Sequence, residues 1–217
     1  MYYKVTSSCR ISEGLTCDLS KFTLQLSGMP TYLISVRKEF QYYKHLGDKT
    51  IDQLNDKELH WQYNKESNSI AIIVKHLWGN MLSRWTDFLT TDGEKAFRDR
   101  EAEFENDIKD KHELLQKWNE GWACLFKAIN GINEDYLSTI VYIRNEGHTV
   151  TEAINRQLAH YAYHVGQIVF IGKIIKDSAW VSLSIPRGKS KDFNENKFSK
   201  EKHEGHFTDE ILNTPTP

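Results

Sequence analysis

Apolar residues recur at helical spacing in four segments of the chain. The first segment covers about 31–46, and the pattern predicts that its helix stops near Gly47. The second follows a polar connector over 48–66, and either Ser67 or Asn68 is its predicted N-cap. This connector is predicted to contain a short helical turn, in the stretch TIDQLNDKELHW.

Two further helices complete this pattern. The third segment begins near Asp110 and ends at Asn130 and Gly131, a pair typical of helix ends. Thr149 and Glu152 form a capping box that opens the fourth and longest helix. Four long helices with little strand content predict an all-α fold, a four-helix bundle with a long connector and polar terminal tails.

The remaining segments predict the domain limits. Residues 1–28 show no sustained periodicity and are interpreted as an N-terminal extension, with a later translation start as the alternative. The bundle domain is predicted over 29–190, followed by a charged, disordered tail over 191–217. Within the domain, the charged stretch 90–108 is predicted to be a solvated loop. The apolar stretch 139–150 predicts either a small hairpin or an extended crossing.

Composition narrows the cellular setting and the partners. The formal net charge of −2 gives no basic field, so a nucleic-acid partner is not expected. The three cysteines form neither a CxxC motif nor a disulfide framework, which suits the reducing cytoplasm. No apolar run is long enough to span a membrane, and the first thirty residues contain no secretory signal. The sequence therefore predicts a cytoplasmic protein without membrane association.

Three histidines are the candidate metal ligands. His160 and His164 are four residues apart in the fourth helix, so both imidazoles project from one face. His76 lies beside the apolar stripe of the second helix. Burying three neutral imidazoles together is costly unless their nitrogens find partners, and a divalent metal meets that need. Three protein ligands plus water is the open arrangement of catalytic zinc sites. The competing interpretation is that each is an ordinary core or surface histidine.

The stretches SNSIAIIVKHLWGNMLSRWTDFL and EAINRQLAHYAYHVGQIVFIGK resemble the DinB-like, or YfiT-like, superfamily of metalloenzymes. The resemblance covers about residues 30–190 and is strongest for a branch of unknown function. It implies that His76, His160 and His164 bind a divalent metal, usually zinc or nickel. Members of the superfamily include bacillithiol S-transferases and mycothiol-dependent maleylpyruvate isomerase. The resemblance therefore implies a transferase that uses a low-molecular-weight thiol, and it implies a possible homodimer.

Three functions remain open at this point. The first is a thiol S-transferase acting on small electrophiles, in which a metal lowers the thiol pKa. The second is a metal-dependent hydrolase, in which zinc-bound water is the nucleophile. The third is a non-catalytic, stress-induced bundle that only binds metal. The first two require a small-molecule substrate, and the sequence identifies neither catalytic nor cofactor-binding residues beyond the histidines.

Four polar residues are candidates for supporting roles. Asn80 and Gln167 lie one helical turn from predicted ligands and could orient an imidazole or a bound water. Arg84 and Arg187 could meet an anionic substrate with their planar donor groups. The competing interpretation of each is an ordinary surface or capping residue. Separately, Gly166 and Gly172 are expected to permit close approach of a neighbouring helix.

Overall fold

The computed structural model describes residues 31–212. The predicted extension over 1–28, with Cys9 and Cys17, lies outside this range. Within it the protein is mostly helical, with seven helices and one two-stranded antiparallel sheet. The elements are α1 Tyr32–Asp52, α2 Asp56–Leu59, α3 Ile70–Trp85, α4 Lys111–Asn130, β1 Ile140–Ile143, β2 Glu146–Thr149, α5 Val150–Lys176, α6 Ser190–Phe198 and α7 Asp209–Leu212.

Helix α1 does not stop at Gly47, as the sequence predicted, but continues to Asp52. A Cβ atom at Gly47 would lie 2.3 Å from Cζ2 of Trp118, so the glycine makes room for an indole from α4. The indole Nε1 also donates to the carboxylate of Asp48 at 2.6 Å. Gly47 is therefore a helix–helix contact position, and the tryptophan explains why a glycine lies inside a helix, where it costs about 1 kcal/mol.

Side-chain caps define the starts of the other long helices. Ser69, not Ser67 or Asn68, caps α3, and its Oγ accepts from the backbone N–H of Ile72 at 3.2 Å. The capping box of Thr149 and Glu152 at the start of α5 is confirmed. These caps satisfy backbone donors that the first helical turn leaves without partners.

The long helices bury one continuous apolar core. Helix α3 packs mainly against α4, and α1 packs mainly against α5. Further contacts join α3 to α5 and α1 to α4. The largest fully buried core side chains include Trp118, Trp122, Tyr161 and Phe40. Helix α5 approaches α1 closely at Gly172, where a Cβ would lie 2.7 Å from Thr50, as expected; Gly166 faces open space instead, contrary to expectation.

The apolar stretch after α4 forms the hairpin of β1 and β2, one of its two predicted conformations. Arg144 and Asn145 form its turn, and both have positive φ angles, 56° and 62°. Asp92 holds this turn, since its carboxylate accepts the backbone N–H groups of Arg144 at 2.9 Å and of Asn145 at 2.8 Å. The hairpin is thereby attached to the loop that follows α3.

The loop 86–110 contains the stretch 90–108 that was predicted to be solvated, and the prediction holds for only part of it: most of its residues are exposed, but a few lie against the core. Glu103, Ile108 and the Arg98 side chain are buried, and a 3₁₀ turn spans Ala102–Phe104. Its charged residues pair with one another and with α3, which is why a charged segment can lie against the core.

The C-terminal segment also differs from the prediction of disorder after residue 191, as far as it is described. Helices α6 and α7 form there, and Lys38 of α1 pairs with Asp209 at 2.6 Å. Phe207 packs edge-on against Tyr42, and Thr208 is fully buried. Charge pairing and one aromatic contact with α1 therefore hold a segment whose composition alone favours disorder. Within residues 31–212, no helix is both long and apolar enough to cross a membrane.

Candidate functional site

Helices α3 and α5 bring the three predicted histidines together. His76 projects from the middle of α3 and is buried, at 7% exposure. His160 and His164 project one turn apart from α5 and are partly buried. The ring centroid of His76 lies 5.3 Å from the ring centroid of His160 and 4.9 Å from that of His164, so one small site contains all three rings.

The rings converge through the same nitrogen. Nε2 of His160 lies 3.3 Å from Nε2 of His76 and 3.0 Å from Nε2 of His164. One ligand atom from each ring can be chosen so that all three lie within 4.8 Å of one another. This is the spacing of donors that could hold a single metal ion, and imidazole nitrogens suit zinc, nickel and similar metals.

The other ring nitrogen of two of these histidines is held by a hydrogen bond. Nδ1 of His76 donates to the carboxylate of Glu103 at 2.9 Å, and Nδ1 of His164 donates to the Gln167 amide oxygen at 2.8 Å. Both partner oxygens are acceptors, so the proton of a neutral ring lies on Nδ1. The Nε2 lone pairs of His76 and His164 therefore point toward His160.

Glu103 is held in place from two sides. Arg98 donates to both of its carboxylate oxygens, at 2.7 and 2.9 Å, from a side chain that is only 3% exposed. On α3, Gly79 makes room for the carboxylate, because a Cβ there would lie 2.3 Å from Oε1 of Glu103. Burial opposes ionisation of Glu103, but the hydrogen bonds from His76 and Arg98 outweigh it and hold the carboxyl pKa below its usual value.

Burial and mutual repulsion keep the α5 imidazoles neutral. Desolvation lowers the pKa of His160 to about 3, and the neighbouring His164 and His76 add to the effect. Desolvation also lowers the pKa of His164 to about 4, against the opposing hydrogen bond to Gln167. Neutral imidazole is the form that can bind a metal, because protonation removes the lone pair.

The three histidines open onto a pocket of about 470 Å³. Its other lining residues come from α3, the loop 86–110, the hairpin turn and α5. They are Asn80, Arg84, Arg98, Arg100, Phe104, Arg144, Arg156, Gln157 and Tyr163. The site is thus reachable by a small molecule, and arginine is the commonest residue in its walls.

The four predicted supporting residues have different outcomes. Gln167 orients a predicted ligand, His164. Asn80 lines the pocket, but its Oδ1 accepts from the Tyr161 hydroxyl at 3.0 Å. Arg84 also lines the pocket, although its guanidinium already donates to the Gly93 carbonyl and to Glu94. Arg187 does not line it.

Sequence reasoning missed Glu103 and most of the arginines. Two signals were readable. Arg156 precedes His160 by four residues, the same interval that separates the two α5 histidines, so all three lie on one helix face. Gly79 lies about one helical turn after His76 on α3, and a glycine inside a helix indicates that another group packs closely against it. No periodicity in the loop identifies Glu103 as that group.

Residues 28–189 match the model of the family described as "Protein of unknown function (DUF1572)". Comparison with curated proteins gives no significant match. The matched range contains helices α1 to α5 and the hairpin, and with them every residue of the histidine site. Since the match extends over most of the 217 residues, the chain belongs to the DUF1572 family.

Proposed function

We propose that the protein is a DinB-like metalloenzyme that binds one divalent transition metal, zinc or nickel, through His76, His160 and His164. The observation that carries the proposal is the convergence of three Nε2 atoms, with separations of 3.0 and 3.3 Å about His160. Two of these atoms present lone pairs, because their rings donate through Nδ1.

The donor set fits a metal better than it fits hydrogen bonding alone. A proton on Nε2 of His160 can point well at only one of the two facing lone pairs at a time. The other lone pair would then have no hydrogen-bond donor in a partly buried site, which is unfavourable. A divalent cation accepts all three lone pairs together. The Glu103 and Gln167 contacts resemble the outer hydrogen bonds that orient histidine ligands in metal sites.

The helix packing supports the bundle part of the proposal. Helices α1, α5, α3 and α4 contact one another in a closed ring, with α1 against α5, α5 against α3, α3 against α4 and α4 against α1. Such a ring is the arrangement expected of a four-helix bundle with a site built from facing helices. The DinB-like superfamily, to which the sequence bears a resemblance, has this fold.

The reaction that we propose is transfer of a low-molecular-weight thiol to a small electrophile. When bound, the metal would supply Lewis acidity that lowers the pKa of the thiol. In the net reaction a sulfur–carbon bond forms, the leaving group departs with its electron pair, and the thiol proton passes to solvent. Glu103 and Gln167 fix the imidazole orientations, and the reactants would bind in the pocket of about 470 Å³ that the three histidines line.

The metal proposal is tested by elemental analysis of protein purified without a histidine tag. We expect close to one equivalent of zinc or nickel, and its loss in His160→Ala. His112→Ala is the matched control, because His112 is exposed on α4 and lies outside the cluster. Protein that is folded but takes up no zinc or nickel, or that binds them equally in both variants, would contradict the proposal.

The transferase proposal is tested by monitoring conjugation of a bacillithiol-type thiol to monochlorobimane, which releases chloride. We expect conjugation that requires the metal and is absent in His160→Ala but present in His112→Ala. Metal-dependent ester or amide cleavage without conjugation would replace transfer by hydrolysis. Stoichiometric metal binding without either activity would support a non-catalytic metal-binding protein.

A further inference from the structure

The walls of the histidine pocket carry an unusual charge pattern. Five arginines line it, and no aspartate or glutamate of the described residues does so. They come from four parts of the chain: α3, the loop that follows it, the hairpin turn and α5. The arginines are Arg84, Arg98, Arg100, Arg144 and Arg156.

Two carboxylates behind the pocket wall compensate only part of this charge. Glu94 contacts Arg84 at 3.2 Å, Arg98 at 3.6 Å and Arg144 at 3.1 Å. Glu103 pairs with Arg98 and also accepts from His76. These two carboxylates contact three of the five guanidinium groups, and Arg100 lies near only the exposed Glu101, so an excess of positive charge faces the pocket. An excess of one sign inside a cleft raises the local concentration of oppositely charged ligands.

Three of the arginines retain donors that a ligand can use. The Arg144 side chain is 58% exposed, and among the described residues its acidic partner is Glu94, which also contacts Arg84 and Arg98. Arg100 is 53% exposed and lies 3.7 Å from Glu101, which is itself almost fully exposed. Arg156 is exposed and has no acidic partner within residues 31–212. A guanidinium group has five N–H donors, so each can bind a carboxylate or phosphate through two of them.

Two buried atoms at the pocket wall also need partners. Nε of Arg84 and Oε1 of Gln157 have no hydrogen bond, although these residues are only 6% and 4% exposed. Both residues line the pocket. A buried polar atom without a partner is unfavourable, so a polar partner from a ligand or an ordered water is expected at each of these atoms. The Arg84 nitrogen requires an acceptor, and the Gln157 oxygen requires a donor such as a hydroxyl or an N–H group.

We propose that this pocket binds a small acid that carries at least two carboxylate or phosphate groups and a hydroxyl or N–H donor. Arg100, Arg144 and Arg156 bind its acidic groups, and Arg84 and Gln157 contact its other polar atoms. The identification of this acid as a reactant of the enzyme rests on the proposed function, but its binding does not. The arginine groups recognise the ligand and leave the Nε2 atoms of the histidines free for the metal.

Calorimetric titration of metal-free wild-type protein tests the proposal, at constant ionic strength so that screening is equal for all ligands. The probes are malate, which has two carboxylates and a hydroxyl, its neutral diamide malamide, and pyrophosphate. Malate is expected to bind at least about tenfold more tightly than malamide, because two charge-assisted contacts are replaced by neutral ones. Comparison of malate with pyrophosphate distinguishes a carboxylate ligand from a phosphate ligand.

Variants identify the arginines that bind the acid. Arg100→Gln, Arg144→Gln and Arg156→Gln are each expected to weaken malate or pyrophosphate binding about tenfold. The matched control is Arg187→Gln, an exposed arginine outside the pocket. Each Lys variant should restore part of the affinity, since it keeps the charge and loses the two-pronged geometry. Thermal melting of every variant establishes that it is folded.

The outcomes separate this proposal from the metal proposal. Equal affinity for malate and malamide, no measurable binding of either acid, or an equal loss in Arg187→Gln would overturn the acid-binding site. Zinc uptake is measured on separate aliquots of the same proteins, to which zinc is added. If the acids bind as expected but zinc does not, the proposed metalloenzyme is wrong and the acid-binding site stands; zinc uptake without acid preference gives the opposite conclusion.

Discussion

The two sides of the histidine site are built differently. On the α5 side, His160, His164 and Gln167 all lie on one helix, within eight residues. On the α3 side, His76 depends on Glu103, which is 27 residues away in a loop and is itself paired with Arg98. The α5 side is thus fixed by helix geometry and a neutral amide. The α3 side is fixed by tertiary packing and a buried charge.

This difference predicts unequal sensitivity to mutation. A helix keeps the spacing of its side chains as long as it remains helical, so the α5 side tolerates changes in its surroundings. A buried carboxylate between an imidazole and a guanidinium group tolerates few changes, because removal of one partner leaves the others without compensation. The following variants test this comparison, from the largest expected effect to the smallest.

Glu103→Ala should have the largest effect, on the α3 side. It leaves the Arg98 guanidinium, 3% exposed, with only a distant contact to Glu94, and removes the acceptor of His76. We expect the free energy of unfolding to fall by about 3–5 kcal/mol, the range for a broken buried ion pair. Urea denaturation measures it. The control is Glu101→Ala, whose side chain is 92% exposed and should change stability by less than about 0.5 kcal/mol. Equal effects of the two variants would show that Glu103 has no special structural role.

Gly79→Ala and Gly166→Ala compare the two histidine-bearing helices directly. The new methyl at Gly79 would lie 2.3 Å from the Glu103 carboxylate and must displace it, so a loss of about 1–3 kcal/mol is expected. The methyl at Gly166 meets nothing within 4 Å and should stabilise α5 by up to about 1 kcal/mol through helix propensity. Thermal and urea denaturation measure both changes. The comparison fails if the two variants shift stability in the same direction.

The sequence predicted the histidine positions because helical periodicity alone brings His160 and His164 to one face, and the apolar stripe of α3 directs His76 inward. The fourth helix and its capping box were predicted for the same local reasons. Glu103 could not be identified, since its burial depends on a loop folding back onto α3. Gly47 was interpreted as a helix stop because its true role depends on Trp118, about seventy residues later in the chain.

Gln167→Ala should weaken zinc affinity about tenfold, the low end of the range for loss of an outer hydrogen bond to a metal-binding histidine. The reason is that the His164 ring loses the acceptor that fixes its tautomer, while helix geometry still holds its position. Competition with a chromogenic chelator measures the affinity, and Glu103→Gln, with a larger loss, is the α3 counterpart. A greater loss in Gln167→Ala than in Glu103→Gln would reverse the proposed ranking of the two sides.

Gln167→Glu should have the smallest effect and the opposite sign. It gives His164 the same kind of charged acceptor that Glu103 provides to His76, which raises the basicity of the imidazole. Zinc affinity is expected to increase a few-fold in the same chelator assay, with stability nearly unchanged because Gln167 is only partly buried. Unchanged or reduced affinity would mean that the acceptor's charge does not explain the difference between the sides.

The hydrogen bonds that Asp92 accepts from the hairpin turn affect which ligands the pocket can admit. Its carboxylate accepts three backbone N–H groups, two from the hairpin turn and one from Glu94, at 2.7–2.9 Å. These bonds join the hairpin turn to the start of the loop, and Arg144 and Arg98 both contact the Glu94 carboxylate on this joined unit. We expect a wider pocket mouth to increase mainly the distance between this unit and Arg156 on α5. Ligands of different lengths could then share one anchoring end while the opposite end adjusts.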